Sequence, residues 1–147
     1  MFKHILIPTD GSALADKAVK AGIEFAREAG ARVTLYRALE HRRAAYYGDS
    51  YAVSEMIAAN LERQAEERAE KSFEAAREAA TTAGVDCDSL AAAADSPHEG
   101  ILNAAKKRAC DAIFIASHGR GGVGSLLLGS VTQKVLAHST LPVMVYR

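Results

Sequence analysis

The 147-residue chain has no tryptophan, two cysteines, three prolines and no excess charge, with 18 basic side chains against 18 acidic ones. Each shortage removes a class of protein. Balanced charge gives no global field to draw the chain onto nucleic acid or an anionic membrane. The two cysteines, Cys87 and Cys110, lack CxxC spacing. They read as buried, reduced thiols of a cytoplasmic protein, not as a disulfide framework. No stretch approaches the ~20 apolar residues of a membrane span, and the run Ile5-Leu6-Ile7 is too short for a signal-peptide core. What is present is ordinary: 49% hydrophobic residues, enough for one core in one domain over residues 1–147.

Short apolar runs alternate with longer helical patterns, the arrangement of βαβ units around a parallel sheet. His4-Ile5-Leu6-Ile7-Pro8 predicts a first strand. A helix follows from about Ala13, with Leu14, Ala18, Ala21, Gly22, Phe25 and Ala29 on one face and Gly30 as its stop. A second strand begins at Val33-Thr34-Leu35-Tyr36, and residues 40–50 have neither period and predict a long loop. From Tyr51 to Ala83 the pattern is helical and charged, a crossover helix with a solvated outer face, closed by Gly84. A third strand is expected near Asp86 to Ala92. Ser96-Pro97-His98-Glu99 then spells a capping box opening a helix to about Ala109, with His98 as a surface residue. Asp111 to Ser117 is a fourth strand, a last helix starts near Gly129-Ser130, and Pro142 to Tyr146 is a fifth strand.

A local shortage marks the region that carries chemistry: no Asp or Glu follows Asp111. The loop Gly119-Arg120-Gly121-Gly122-Val123-Gly124 matches GxGxxG, but it follows the fourth strand and lacks the acidic residue about 20 positions on. That context argues against a nicotinamide enzyme, and the absence of GxxxxGK[ST] excludes a P-loop NTPase. The same stretch offers Arg120 and a helix start, Gly129-Ser130-Val131-Thr132, with free backbone N–H groups and two hydroxyls. Helix N-termini of that kind bind anions, phosphate above all. A glycine-rich surface loop with Ser130 as a mere cap is the plainer reading, and local chemistry leaves both open. Pro8-Thr9-Asp10-Gly11-Ser12 puts a carboxylate at the carboxyl edge of the sheet, where open α/β folds bind ligands. Asp10 there is suited to a ribose hydroxyl or an adenine amino group, or to a simple turn.

The opening Ile-Leu-Ile-Pro-Thr-Asp-Gly-Ser and the closing His-Gly-Arg-Gly-Gly…Leu-Leu-Gly-Ser-Val-Thr-Gln-Lys resemble the universal stress protein family over the whole chain. The resemblance implies a doubly wound, Rossmann-like α/β fold, a five-stranded parallel sheet in the order 3-2-1-4-5 with helices on both faces. It implies an adenine-nucleotide site for ATP, AMP or ADP, with Mg2+ or Mn2+ held through the phosphates and no metal ligands from the protein. Pro8, Thr9, Asp10 and the backbone of Ala38 would line the adenosine side. Gly119, Gly129, Ser130, Val131 and Thr132 would hold phosphates, with Arg120 added on electrostatic grounds. Ala116 stands where the family's nucleotide motif begins with glycine. A methyl there would strain a positive φ or crowd the sugar. The resemblance also implies a homodimer through Pro142 to Tyr146. No catalytic constellation is spelled out and the five histidines are scattered. The expected function is a nucleotide-binding stress or regulatory module with, at most, slow ATP turnover. The alternative is a member that binds no nucleotide and acts through dimer and partner contacts.

Overall fold

β1 (His4–Pro8) is buried along its whole length. Ile5 and Ile7 face one helical layer and Leu6 the other, so an unbroken apolar run suits a strand covered on both sides. The computed structural model describes residues 1–40, 51–120 and 127–147, and in it the fourth strand is buried along its whole length in the same way. The order is β1, α1 (Ala13–Ala29), β2 (Arg32–Glu40), α2 (Tyr51–Ala83), β3 (Cys87–Ala94), α3 (Pro97–Lys107), β4 (Ala112–Ala116), α4 (Ser130–His138) and β5 (Val143–Tyr146). All strands pair in parallel, in the spatial order β3-β2-β1-β4-β5. The expected topology is the observed one.

Two cores flank the sheet. α1 and α2 cover Ile5, Ile7, Val33, Leu35, Ala112 and Phe114 with Val19, Ile23, Ala69 and Phe73. α3 and α4 cover Leu6, Tyr36, Ile113 and Ile115 with Ile101, Ala104 and Val135. The buried stripe of α1 centres on Ala15, Val19, Ile23 and Ala26. Leu14, Ala21, Phe25 and Ala29 flank it, half-buried against the same core. Of the apolar face predicted for this helix, Ala18 and Gly22 lie in the buried stripe and the other four residues at its margin.

Three helices end alike. The N–H groups of Ala31, Val85 and Cys110 reach back five residues to Ala26, Ala80 and Ala105, as in a Schellman motif. Gly30 and Gly84 supply the left-handed residue with φ of 65° and 71°, and Ala109 takes that role for α3 with φ of 52°. α3 therefore stops at Lys107, short of the expected Ala109. The capping box at its start also differs from expectation. Ser96 Oγ donates to Glu99 Oε2 at 2.8 Å, and Ser96 makes no side-chain bond to the helix backbone. The two side chains satisfy each other. β2 runs through Glu40, into the start of the predicted loop, and the rest of that loop lies outside the described residues.

At the amino edge of the sheet, His4 is buried and its Nε2 donates to Thr34 Oγ1 at 2.7 Å, since that hydroxyl donates onward to Asp88. Burial, then the nearby Arg32 charge, push the His4 pKa down. It is a neutral structural histidine. Both cysteines are free, and burial pushes each thiol up to about 11, which leaves them unreactive near neutral pH.

Candidate functional site

The order β2-β1-β4 brings the ends of β1 and β4 side by side at the carboxyl edge, the reversal point of a doubly wound sheet. Residues distant in sequence meet there through named bonds. Thr9 N donates to Tyr36 O at 2.8 Å, tying the end of β1 to β2. Asp10 Oδ1 accepts from Ser12 N at 2.9 Å, and Asp10 Oδ2 accepts from Arg120 N at 3.0 Å. One carboxylate therefore clamps the turn after β1 to the loop after β4. Burial opposes the charge on Asp10, but the bonds from Ser12 and Arg120 and the Arg120 charge hold its pKa below the ordinary value. Each carboxylate oxygen retains acceptor capacity beyond its one backbone bond.

The loop after β4 returns to the sheet at α4. Gly129 N donates to Ser117 O at 2.7 Å, and Thr132 Oγ1 donates to Ala116 O at 2.8 Å. Both glycines of this motif are needed for close approach. A Cβ on Gly119 would overlap the Asp10 carboxylate, and one on Gly129 would lie 3.0 Å from His118 Cα. The first intrahelical bond of α4 runs from Gln133 N to Gly129 O. The N–H groups of Ser130, Val131 and Thr132 consequently have no acceptor among the described residues, and Ser130 is exposed. This is the donor set an anion takes.

Pro8, Thr9, Asp10, Ala116, Gly119, Arg120, Gly129, Ser130, Val131 and Thr132 thus lie along one bonded path. Ala38 sits one strand over, two residues beyond Tyr36, the register partner of Pro8. Two residues differ in role from the sequence reading. Thr132 is buried and its hydroxyl serves Ala116, so only its backbone N–H remains for a ligand. Ala116 has no positive φ, a conformation that Ala109 alone adopts among the described non-glycine residues. Its methyl belongs to the core beneath α1 and α2. The expected strain is absent. Ala116→Gly should therefore cost about 1–2 kcal/mol of stability, from strand backbone entropy and a lost buried methyl, and leave ligand affinity unchanged. Urea denaturation and calorimetric titration of the same samples check both halves. Gly121, Gly122, Val123 and Gly124 lie outside the described residues.

The structure adds Arg37. A Cβ placed on Gly11 would lie 3.3 Å from both Arg37 Nη1 and Arg120 Nη2, so two guanidinium groups converge over the turn after β1. Neither forms a salt bridge among the described residues. Arg37 was legible as the one charge interrupting Val33-Thr34-Leu35-Tyr36-Arg37-Ala38-Leu39 near the carboxyl end of its strand. Only the tertiary structure pairs it with Arg120. His118, beside this loop, is engaged through Nδ1 with Ser117 Oγ at 3.1 Å.

The universal stress protein family model matches residues 1–147. A universal stress protein of Thermus aquaticus, encoded 3′ of a QAH/OAS sulfhydrylase, is 35% identical over 147 residues, all of both chains. Universal stress protein YxiE of Bacillus subtilis is 31% identical, again over the whole of both chains. Among solved structures, protein MJ0577 of Methanocaldococcus jannaschii superposes with a TM-score of 0.84 at 29% identity, covering 99% of this chain and 95% of that one. Two more distant structures share the fold. A universal stress protein in complex with cAMP has a TM-score of 0.73 at 18% identity, covering 99% of this chain and 97% of that one. One from Archaeoglobus fulgidus in complex with dAMP has a TM-score of 0.63 at 17% identity, covering 100% and 98%.

Proposed function

Since this chain belongs to the universal stress protein family, we propose that it is an ATP-binding, dimeric regulatory module of the cytoplasm, built as one domain. The observation that carries the nucleotide reading is the bonded path from Asp10 through Arg120 to the open N-terminus of α4. Asp10, with Pro8, Thr9 and Ala38, takes the adenosine. The N–H groups of Ser130, Val131 and Thr132, the Ser130 hydroxyl and the guanidinium groups of Arg120 and Arg37 take the phosphates. Two converging guanidinium groups that form no salt bridge among the described residues favour a polyanionic ligand. Relatives of the same fold in complex with cAMP and dAMP support an adenine nucleotide. Mg2+ or Mn2+ would be held through the phosphates, for among the described residues no three His, Cys, Asp or Glu side chains are grouped for a metal. Binding is the primary function on this reading, with slow ATP turnover at most.

Mass spectrometry of small molecules released by acid from the purified protein, followed by calorimetric titration, tests this reading. ATP or a related adenine nucleotide should be released, and the emptied protein should rebind ATP. No binding at millimolar ATP would favour the alternative, a member acting only through partner contacts. Ser130→Ala separates the two halves of the site. It should weaken ATP by about 1 kcal/mol, one hydrogen bond, and leave adenosine unchanged. Equal losses for both ligands would remove Ser130 from the phosphate side.

The dimer is proposed through β5, which lies at one edge of the sheet. Its outer edge has no strand partner among the described residues, and an apolar edge strand of that kind pairs readily with a second copy.

A further inference from the structure

We propose that His98 and His138 form a two-histidine site for a divalent transition metal, zinc above all, bridging α3 and α4. His98 is half-buried near the start of α3, and His138 is exposed at the end of α4. Their ring centroids are 5.7 Å apart and the planes are inclined by 42°. Zinc binds imidazole nitrogen at about 2.0–2.1 Å, which puts each ring centroid about 3.2 Å from the ion and two centroids about 5 Å apart in a tetrahedral site. The observed centroid distance lies within about 1 Å of that spacing.

The hydrogen bonds fix both tautomers in the form a metal needs. His138 Nδ1 lies 2.9 Å from Lys134 O. A carbonyl only accepts, so Nδ1 carries the proton and Nε2 keeps its lone pair. Ser96 Oγ gives its proton to Glu99 Oε2 at 2.8 Å, and can then only accept from His98 Nδ1 at 3.1 Å. His98 is therefore also protonated on Nδ1, with Nε2 free. A ligating histidine whose other N–H is tied to an oxygen is the usual outer-shell arrangement of protein metal sites. His138 also lies in the last turn of α4, where the helix dipole favours a cation. Two protein nitrogens leave the remaining positions to water. The ion would fasten the last turn of α4, the helix whose first turn faces the proposed phosphates, to α3.

Calorimetric titration of the nucleotide-free, full-length chain with zinc chloride tests the proposal. One zinc per chain is expected. His98→Ala and His138→Ala should each weaken binding by about tenfold or more, since each removes one of two ligands. His98→Asn and His138→Gln, which keep polarity and fold, should do the same. Imidazole 1H–15N spectra of the metal-free protein should show both rings protonated on Nδ1, and zinc should shift their Nε2 signals. Absence of saturable zinc binding would overturn the proposal. So would affinity unchanged in all four variants, or rings protonated on Nε2.

Discussion

Val145→Pro should turn the proposed dimer into a monomer without unfolding the chain. Pro142 O accepts from Ile113 N at 3.0 Å and Tyr146 O accepts from Ser117 N at 2.7 Å. Backbone groups alternate in direction along a strand, so Pro142, Met144 and Tyr146 address β4, while the N–H groups of Val143 and Val145 point to the free edge. Val145→Pro removes a donor only from that edge. Edge strands tolerate proline, and the preceding Met144 already holds the extended conformation proline requires. A charge at Val143 or Val145 would be a poorer probe. Both side chains are half-buried against the core under α3 and α4, so a charge there would destabilise the strand itself as well as any contact across its edge. Light scattering should give the dimer mass for wild type and the monomer mass for the variant, with unchanged circular dichroism. A variant that stays dimeric would move the interface elsewhere, and a monomeric wild type would end the dimer proposal.

Asp10→Ala should weaken ATP and adenosine alike, by about 1–3 kcal/mol, the range for a hydrogen bond to a charged group. That is about fivefold to 150-fold in affinity. The loss has two sources. A ligand acceptor disappears, and the turn after β1 is released from the loop after β4, because both Asp10 oxygens hold backbone N–H groups. Asp10→Asn should fall between wild type and alanine. Its carbonyl still accepts one of those bonds, while its amide meets the other N–H donor to donor. The carboxyl pKa is lowered in the fold, so its stabilising effect is complete above the ordinary carboxyl value. The effect fades as pH falls below that value through the lowered one. The stability gap between wild type and Asp10→Ala should accordingly close in strong acid. Calorimetric titration with both ligands, beside thermal melts across pH, decides the matter. Unchanged affinity for both ligands would take Asp10 out of the site.

Strand and helix order could be read from periodicity because each element buries a face of fixed period. Ile5-Leu6-Ile7 alternates between two cores, and a strand covered on both sides has no polar face to show. α2 ends at Ala83 as expected, closed by Gly84. Most of the candidate site was legible for a different reason: glycine at 119 and 129 and the acidic Asp10 are residue choices that backbone approach and ligand chemistry impose locally. What the sequence could not carry is who faces whom. That Ser96 and Glu99 satisfy each other, that Thr132 turns inward to Ala116, and that the Ala116 methyl belongs to the core all depend on side-chain direction. The convergence of Arg37 with Arg120, and of His98 with His138, depends on the 3-2-1-4-5 order and on α3 packing beside α4. Spacing along a chain records periods and turns. Contacts between elements arise only when the sheet folds them together, and there the tertiary structure alone decided.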